Sequence, residues 1–371
     1  MTRTLLRKGL LLSMLSLTLC AAEKDSPFHK HFGEKVFSTN DKNSVTHTKK
    51  NRTNFSEFLK DVRKHNTGKK LHLSHEELHN IFEVNNNEKN IKGFSTKRDK
   101  IEIFFNVLNQ NESLETLTLS GGERYKNSSG KLIAQDIIII LSCIHKTGIK
   151  KLNISRCRID LGNIDNNLLE NAIQHMTGET TLENLKLSES YMDGMSKESL
   201  DNFLKILEKI KSLKVLDLHA NTNYPEDNSD IILESLSKYI ASNPSIKALN
   251  LSDNRISKKG MKHFSEALDK NNVLKKLDLS SNFSFYSIRS SAKKDLEHIP
   301  FLEKNNTLRC LNISKTDILS HEFDKTLQNI SKNKNLNYLD VIGCHIEKEK
   351  EKKLKEKLKV GKRWITLLYK V

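Results

Sequence analysis

The residues best spaced for chemistry are His75-Glu76-Glu77-Leu78-His79. On a helix, two histidines four apart project from one side and can ligate zinc, and the glutamate beside the first can act as general base on a metal-activated water. The flanking residues serve another end. Ser74 and Glu77 have the S-x-x-E spacing of a capping box, which starts a short helix, and Leu78 and Phe82 give that helix apolar anchors. Phe82 also stands where the extended zinc-protease pattern carries glycine, and little chain is left before the first regular repeat for a protease domain. The preferred reading is a helix start inside a capping segment, with a zinc-dependent hydrolase using HEELH as the alternative. Other chemical patterns are absent. Gly130-Lys131 lacks the preceding glycine and following Ser/Thr of a phosphate-binding loop, and there is neither a G-x-G-x-x-G after a strand nor a G-x-S-x-G elbow. Cys143, Cys157, Cys310 and Cys344 are widely spaced with no C-x-x-C pair, which excludes a zinc ribbon and a thioredoxin-like motif. No cofactor is called for.

The elements that would have to position any site come from an internal repeat. The string L-x-x-L-x-L, with Ile or Val replacing some leucines, begins at Leu114, Ile149, Leu182, Leu213, Ile246, Leu274, Leu308 and Leu336. Its starts lie 35, 33, 31, 33, 28, 34 and 28 residues apart, too regular for chance. The alternating L-x-L has the period of a strand, so both leucines point to one side. Upstream segments have helical period, as in Phe203, Leu204 and Leu207, or Phe264, Ala267 and Leu268. Neither element can bury its apolar side alone, but stacked units make a continuous core. The prediction is an α/β solenoid with parallel strands on a concave face and helices on a convex one.

The stretch from Asn254 to Asn282, with Asn254, Ile256, Gly260, Leu274, Leu277 and Leu279 in place, resembles the ribonuclease-inhibitor-like class of leucine-rich repeats. The resemblance covers about residues 110–346. It implies a horseshoe, and an Asn or Cys three residues after the last strand leucine bonded to the backbone of neighbouring turns. Asn221, Asn254, Asn282, Cys157 and Cys344 fill that place, with Ser190 and Thr316 as weaker substitutes. Because one group of GTPase-activating proteins uses this repeat class, the resemblance also raises that activity as an alternative. That group ends acidic, whereas this chain ends basic.

The termini depart from the repeat. Residues 1–22 have the basic start, short apolar run and small residues of a signal peptide, with cleavage expected after Ala22. Residues 23–53 read as a flexible polar leader, 54–113 as an N-terminal cap with a degenerate strand at Leu71 and Leu73, 114–346 as about eight repeats, and 347–371 as a capping helix and strand. Insertions follow Leu119 and Leu218, and NFSFYS leaves Phe283, Phe285 and Tyr286 as an aromatic cluster. No later stretch approaches the ~18–20 apolar residues of a membrane-spanning helix. Four prolines and fourteen glycines in 371 residues argue for a folded chain. The net charge of +16 would suit nucleic acid or anionic lipid, but the lysines are dispersed among 46 acids, so both are disfavoured as partners.

In this architecture the residues between the strand leucines line the concave face. The candidates for binding another protein are Lys151, Asn153, Arg156, Asn184, Lys186, Asp217, His219, Asn250, Asp253, Asp278, Asn312 and Tyr338. Their order runs from a basic early half to a more acidic middle, which suits a partner of complementary, patterned charge. The sequence thus predicts a monomeric, secreted or periplasmic protein-interaction module, host-directed if its source is a host-associated bacterium.

Overall fold

The computed structural model describes residues 44–46, 55–64, 68–82, 96–119, 132–156, 166–176, 179–190, 192, 196–222, 226–256, 258–282, 303–316, 323–344 and 346–358. The chain divides into two compact units, 1–38 and 39–371, and every described residue lies in the second. The signal peptide, most of the leader, the insertion after Leu119, the 283–286 aromatics, Cys157 and the final strand lie outside the described residues.

Strand and helix alternate along the chain. Before the regular repeats come β1 (Ser44–Thr46), α1 (Phe55–Lys64), β2 (Lys70–Leu73), α2 (His75–Phe82) and α3 (Lys97–Asn109). The repeats supply β3 (Thr116–Leu119), α4 (Ala134–Ile144), β4 (Lys151–Asn153), α5 (Asn166–His175), β5 (Asn184–Lys186), α6 (Lys197–Lys209) and β6 (Val215–Asp217). They continue through α7 (Glu226–Ser242), β7 (Ala248–Asn250), α8 (Lys258–Lys270), β8 (Lys276–Asp278), β9 (Cys310–Asn312), α9 (Phe323–Lys332) and β10 (Tyr338–Asp340), and α10 (Lys348–Leu358) follows. The ten strands form one sheet in chain order, every pairing parallel. Sequential parallel strands, with helices in the connections that pack on their neighbours in sequence, make a solenoid. No helix among the described residues is long and apolar enough to cross a membrane.

The leucine pattern explains the core. Numbering L-x-x-L-x-L one to six, the central leucines Leu117, Leu152, Leu185, Leu216, Leu249, Leu277, Leu311 and Leu339 stack across the sheet and are fully buried. The helices answer from the other side: α6 buries Leu200, Phe203, Leu204 and Leu207 at i, i+3, i+4 and i+7, and Ser196 caps it by accepting the Ser199 N–H at 3.1 Å. At Gly260 a Cβ would lie 2.6 Å from the Asp230 carboxylate and 3.1 Å from Leu233, so the glycine permits the close approach of α7 and α8. The N-terminal cap is aromatic, with Phe104 packed against Phe58, Phe82 and Phe105 at centroid distances of 5.4–5.8 Å.

Two expectations about the ends differ in outcome. The strand at Leu71 and Leu73 forms as β2. Ser44–Thr46, read from sequence as irregular leader, pairs in parallel with β2. Three residues are too few to show period two.

The turns are held by side-chain amides, because a chain that leaves the sheet after three residues carries unpaired N–H and C=O groups into the core. Asn221 Nδ2 donates to the Leu187 carbonyl of the previous repeat at 3.0 Å, and its Oδ1 accepts the Ser190 N–H at 2.8 Å. Asn254 repeats this with the Leu218 carbonyl and the Asn221 N–H, and Asn282 with the Leu251 carbonyl and the Asn254 N–H. Cys344 Sγ donates to the Ile313 carbonyl at 3.0 Å and the substitute Ser190 Oγ to that of Ile154 at 3.2 Å, the equivalent carbonyl of the preceding repeat in each case. Thr316 turns back to its own repeat's Ile313 carbonyl.

A second ladder sits at the other end of each strand and was not anticipated. Asn111, Asn243, Asn271, Asn305 and Asn333 each stand three residues before the first leucine, nearly or fully buried. The Oδ1 of each accepts two N–H groups, as Asn271 does from Val273 and Leu274 at 2.9 and 2.7 Å. Asn271, Asn305 and Asn333 also donate to the carbonyls of Ile240, Leu268 and Asn305 in the preceding repeat. The sequence signal was N-x-x-L or N-x-x-I.

Replacing Asn254 with Ala leaves the buried N–H of Asn221 and the Leu218 carbonyl without these partners. The expected loss is roughly 2–3 kcal/mol of stability by urea denaturation, against within about 0.5 kcal/mol for the exposed control Glu266→Ala.

Candidate functional site

Positions three and five flank the buried fourth leucine, so by strand alternation they form two columns on the face opposite the helices. Column three runs Thr116, Lys151, Asn184, Val215, Ala248, Lys276, Cys310 and Tyr338. Column five runs Thr118, Asn153, Lys186, Asp217, Asn250, Asp278, Asn312 and Asp340. Of the twelve residues singled out from sequence, Lys151, Asn153, Asn184, Lys186, Asp217, Asn250, Asp278, Asn312 and Tyr338 thus lie side by side in these columns. His219 stands two residues beyond column five, its Nδ1 beside Ser252 Oγ at 2.9 Å. Arg156 and Asp253 lie further out, in the turn where the chain leaves the sheet.

That turn takes a left-handed residue in each of the seven repeats from β4 to β10: Arg156, Glu189, Ala220, Asp253, Ser281 and Lys315 have φ of 52–61°, and Gly343 has 68°. Six of the seven are not glycine, and each such residue costs on the order of 1 kcal/mol. The side chains there make their own contacts. Arg156 pairs with Glu189 one repeat on at 3.4 Å.

Column five carries a structural duty that its sequence hid. The Oδ1 atoms of Asn153, Asp217, Asn250, Asp278, Asn312 and Asp340 each accept the N–H two residues on, at 2.9–3.1 Å. This is an Asx turn, the local bond that Asn and Asp favour. It steers the chain off the sheet and explains why Asx dominates this column. The second side-chain oxygen or nitrogen remains for neighbours. Asp278 Oδ2 accepts from Asn312 Nδ2 at 3.0 Å, and Asp217 Oδ2 lies 3.7 Å from Lys186 Nζ.

These carboxylates sit low between the strands, with Asp217 3% and Asp278 7% exposed. Burial pushes both up from the usual carboxylate range. At Asp217 the opposing pull of Lys186 and of the His219 N–H is the smaller effect, and at Asp278 the Asp217 charge adds to the rise. Burial likewise raises the Cys143 thiol to about 11 and raises the Cys310 thiol, so neither is poised as a nucleophile.

Position two, the rim where strands begin, was overlooked in sequence because the residues stand apart there and align only once register is known. It runs Lys69, Glu115, Lys150, Glu183, Lys214, Lys247, Lys275, Arg309 and Asn337. Its early members pair across repeats: Glu115 with Lys69 and Lys150 at 3.8 and 3.2 Å, and Glu183 with Lys214 at 2.5 Å.

The histidine motif is placed but its ligand atoms are not. His75, Glu76 and His79 fall on α2, and their side chains lie outside the description. The capping box is present: the Ser74 N–H donates to Glu77 Oε2 at 2.8 Å, and the Glu77 N–H to Ser74 Oγ at 3.4 Å. Leu78 and Phe82 are buried in the cap. Among the described residues no three His, Cys, Asp or Glu side chains gather as a metal-holding group. A small depression between the ends of α6 and α7, about 230 Å³, is lined by Glu208, Lys211, Tyr239 and Ser242 and lies away from the strand face.

Parallel strand, left-handed turn and helix, repeated with leucines at positions one, four and six, define a leucine-rich-repeat solenoid. A family model described as Leucine Rich repeat matches residues 242–265. Among solved structures, the leucine-rich repeat-containing protein LegL7 from Legionella pneumophila is similar over 80% of this chain and 93% of its own, with 17% identity and a TM-score of 0.42. The tropomodulin C-terminal domain of Caenorhabditis elegans is similar over 51% of this chain and 90% of its own, at 13% identity and a TM-score of 0.31. The actin-binding site 2 of leiomodin-1 is similar over 51% and 86%, at 21% identity and a TM-score of 0.29. Comparison with curated protein sequences gives no match.

Removing the buried charge at Asp217 tests the electrostatics. Asp217→Asn keeps the oxygen that takes the His219 N–H. Because the folded carboxyl value is raised, the native chain pays a charge-burial cost that is absent below the unfolded value of about 4 and grows as pH rises through the folded one. The stability of Asp217→Asn relative to the native chain should therefore increase from pH 4 upward in urea titrations. A difference that shrinks instead means that Lys186 outweighs desolvation.

Proposed function

We propose that this chain is an exported protein-interaction module that holds its partner on the open strand face. The leucine-rich-repeat fold supports a protein-binding role. The finer assignment is carried by one observation: eight consecutive strands present columns three and five in unbroken register to a face the helices do not cover. A surface of this kind offers many polar contacts at fixed spacing, with Tyr338 as the large side chain. Binding another macromolecule is the task such a surface suits. The basic n-region and short apolar run of residues 1–22 support export, and with it a partner outside the cytoplasm.

The test uses the full chain in the organism it comes from, with a photo-crosslinking residue at Tyr338 or Lys151 on the strand face, or at Ile133, which is 42% exposed ahead of α4. The exported fraction should contain chains starting at Glu23 by N-terminal mass spectrometry. One protein should be cross-linked from Tyr338 or Lys151 and not from Ile133. Cross-linking from Ile133 alone, or an uncleaved chain retained in the cytoplasm, contradicts the proposal.

A further inference from the structure

Ten asparagines of the chain stand in the triplet N-x-S/T with no proline between, the acceptor pattern for N-linked sugar. Seven of them lie among the described residues, and none of the seven is exposed. The turns account for five. At Asn111, Asn153, Asn250, Asn305 and Asn312 the amide oxygen accepts the N–H two residues on, at 3.0–3.1 Å. That second residue is Ser or Thr each time. At Asn111 and Asn250 its hydroxyl also donates to the same oxygen, at 3.0 and 2.7 Å. An Asx turn followed by a hydroxyl is therefore spelled with the same two residues as an acceptor site. Of the other two, Asn282 is one of the amides that hold the turns after the strands, and Asn329 is buried on α9.

The fold does not demand this spelling. Asp217 with His219, and Asp340 with Ile342, make the same turn without an acceptor triplet. Asn221, Asn254, Asn271 and Asn333 bond the preceding repeat with no Ser or Thr two residues on. Each triplet is avoidable, and seven stand in the folded repeats.

In a glycosylating secretory lumen the transfer acts on the entering chain, before repeats can stack. The asparagine Nδ2 attacks the anomeric carbon of a lipid-pyrophosphate-linked oligosaccharide. A C–N bond forms, the C–O bond to pyrophosphate breaks, and lipid pyrophosphate and one proton leave. The amide nitrogen then keeps one hydrogen and carries a bulky polar sugar. Asn282 has no room for it, being 0% exposed, and its Nδ2 donates to both the Leu251 and Leu279 carbonyls at 2.9 Å. One hydrogen cannot serve both. Asn305 is 2% exposed and is held in the same way by the Leu268 carbonyl at 2.6 Å. A sugar at either position leaves buried carbonyls unpaired and keeps neighbouring repeats apart.

We infer that this chain folds in a compartment without N-linked oligosaccharide transfer. For the route this rests on the export reading: the chain reaches the outside without passing through a glycosylating secretory lumen.

The test secretes residues 23–371 from cultured animal cells behind their own leader, with and without an inhibitor of lipid-linked sugar synthesis. Without it, peptide mapping should find sugar at Asn282 or Asn305 on a retained, trypsin-sensitive chain. With it, a trypsin-resistant chain should be secreted at roughly tenfold higher yield, since unfolded chains are triaged. A yield indifferent to the inhibitor, or a secreted trypsin-resistant chain with sugar at either position, overturns the inference. So does a sugar remnant on any of the seven asparagines in the chain taken from its own organism. An uncleaved chain found in that organism's cytoplasm strikes the export reading alone, because the cytoplasm also lacks this transfer.

Discussion

A chain that makes a three-residue strand, turns sharply and enters a helix exposes more backbone polar groups than its secondary structure can pair. In a stacked array water cannot reach them, and each buried orphan costs about 1–3 kcal/mol. The two asparagine ladders resolve this. At the strand exit one amide serves two repeats, donating to the carbonyl behind it and accepting that repeat's N–H, as Asn254 does for Leu218 and Asn221. At the strand entry Asn271 accepts two N–H groups of its own turn and donates to Ile240 one repeat back. Leucine packing drives the stacking, but it is non-directional. The amide bonds supply direction, and so fix each strand's register against the next.

Register is what turns a repeat into a surface. Once the fourth leucines are aligned, positions two, three and five fall into columns whatever their side chains, and charges far apart in sequence become neighbours about 4.8 Å apart. The cost of such columns shows in the molecule. Burial raises the Asp217 and Asp278 carboxyls, and Lys247, Lys275 and Arg309 stand unrelieved on the rim. Column five is also constrained from below, since its Asx oxygens complete the turns. The asymmetry of the face is therefore built on residues with two tasks, and substitution there changes the frame as well as the contact.

Much of the frame was legible in sequence because it depends on local pattern. L-x-x-L-x-L gave strand, buried side and repeat start. Ser74 with Glu77 gave the α2 start, and Asn221, Asn254 and Asn282 gave the exit ladder through family resemblance. What escaped depended on three-dimensional register or carried no distinctive residue. The entry asparagines were lost among many others until their bonds to Ile240 and Leu268 appeared. The left-handed turn is filled by Arg, Glu, Ala, Asp, Ser and Lys in six of seven repeats, so glycine marks it only at Gly343. The Asx duty of column five was invisible because the same residues read equally well as partner contacts. The rim column became evident only when Lys247, Lys275 and Arg309 were aligned.

The central claim, that side-chain amides hold the turns and with them the register of the face, is tested most directly by native-state hydrogen exchange. The N–H groups of Asn221, Asn254 and Ile256 donate to asparagine side chains and to no helix or strand partner. The account predicts that they exchange as slowly as the strand amides of Leu249 and Leu277, by opening of whole repeats. Exchange at these three positions on the timescale of surface loops, while the strand amides stay protected, would contradict it.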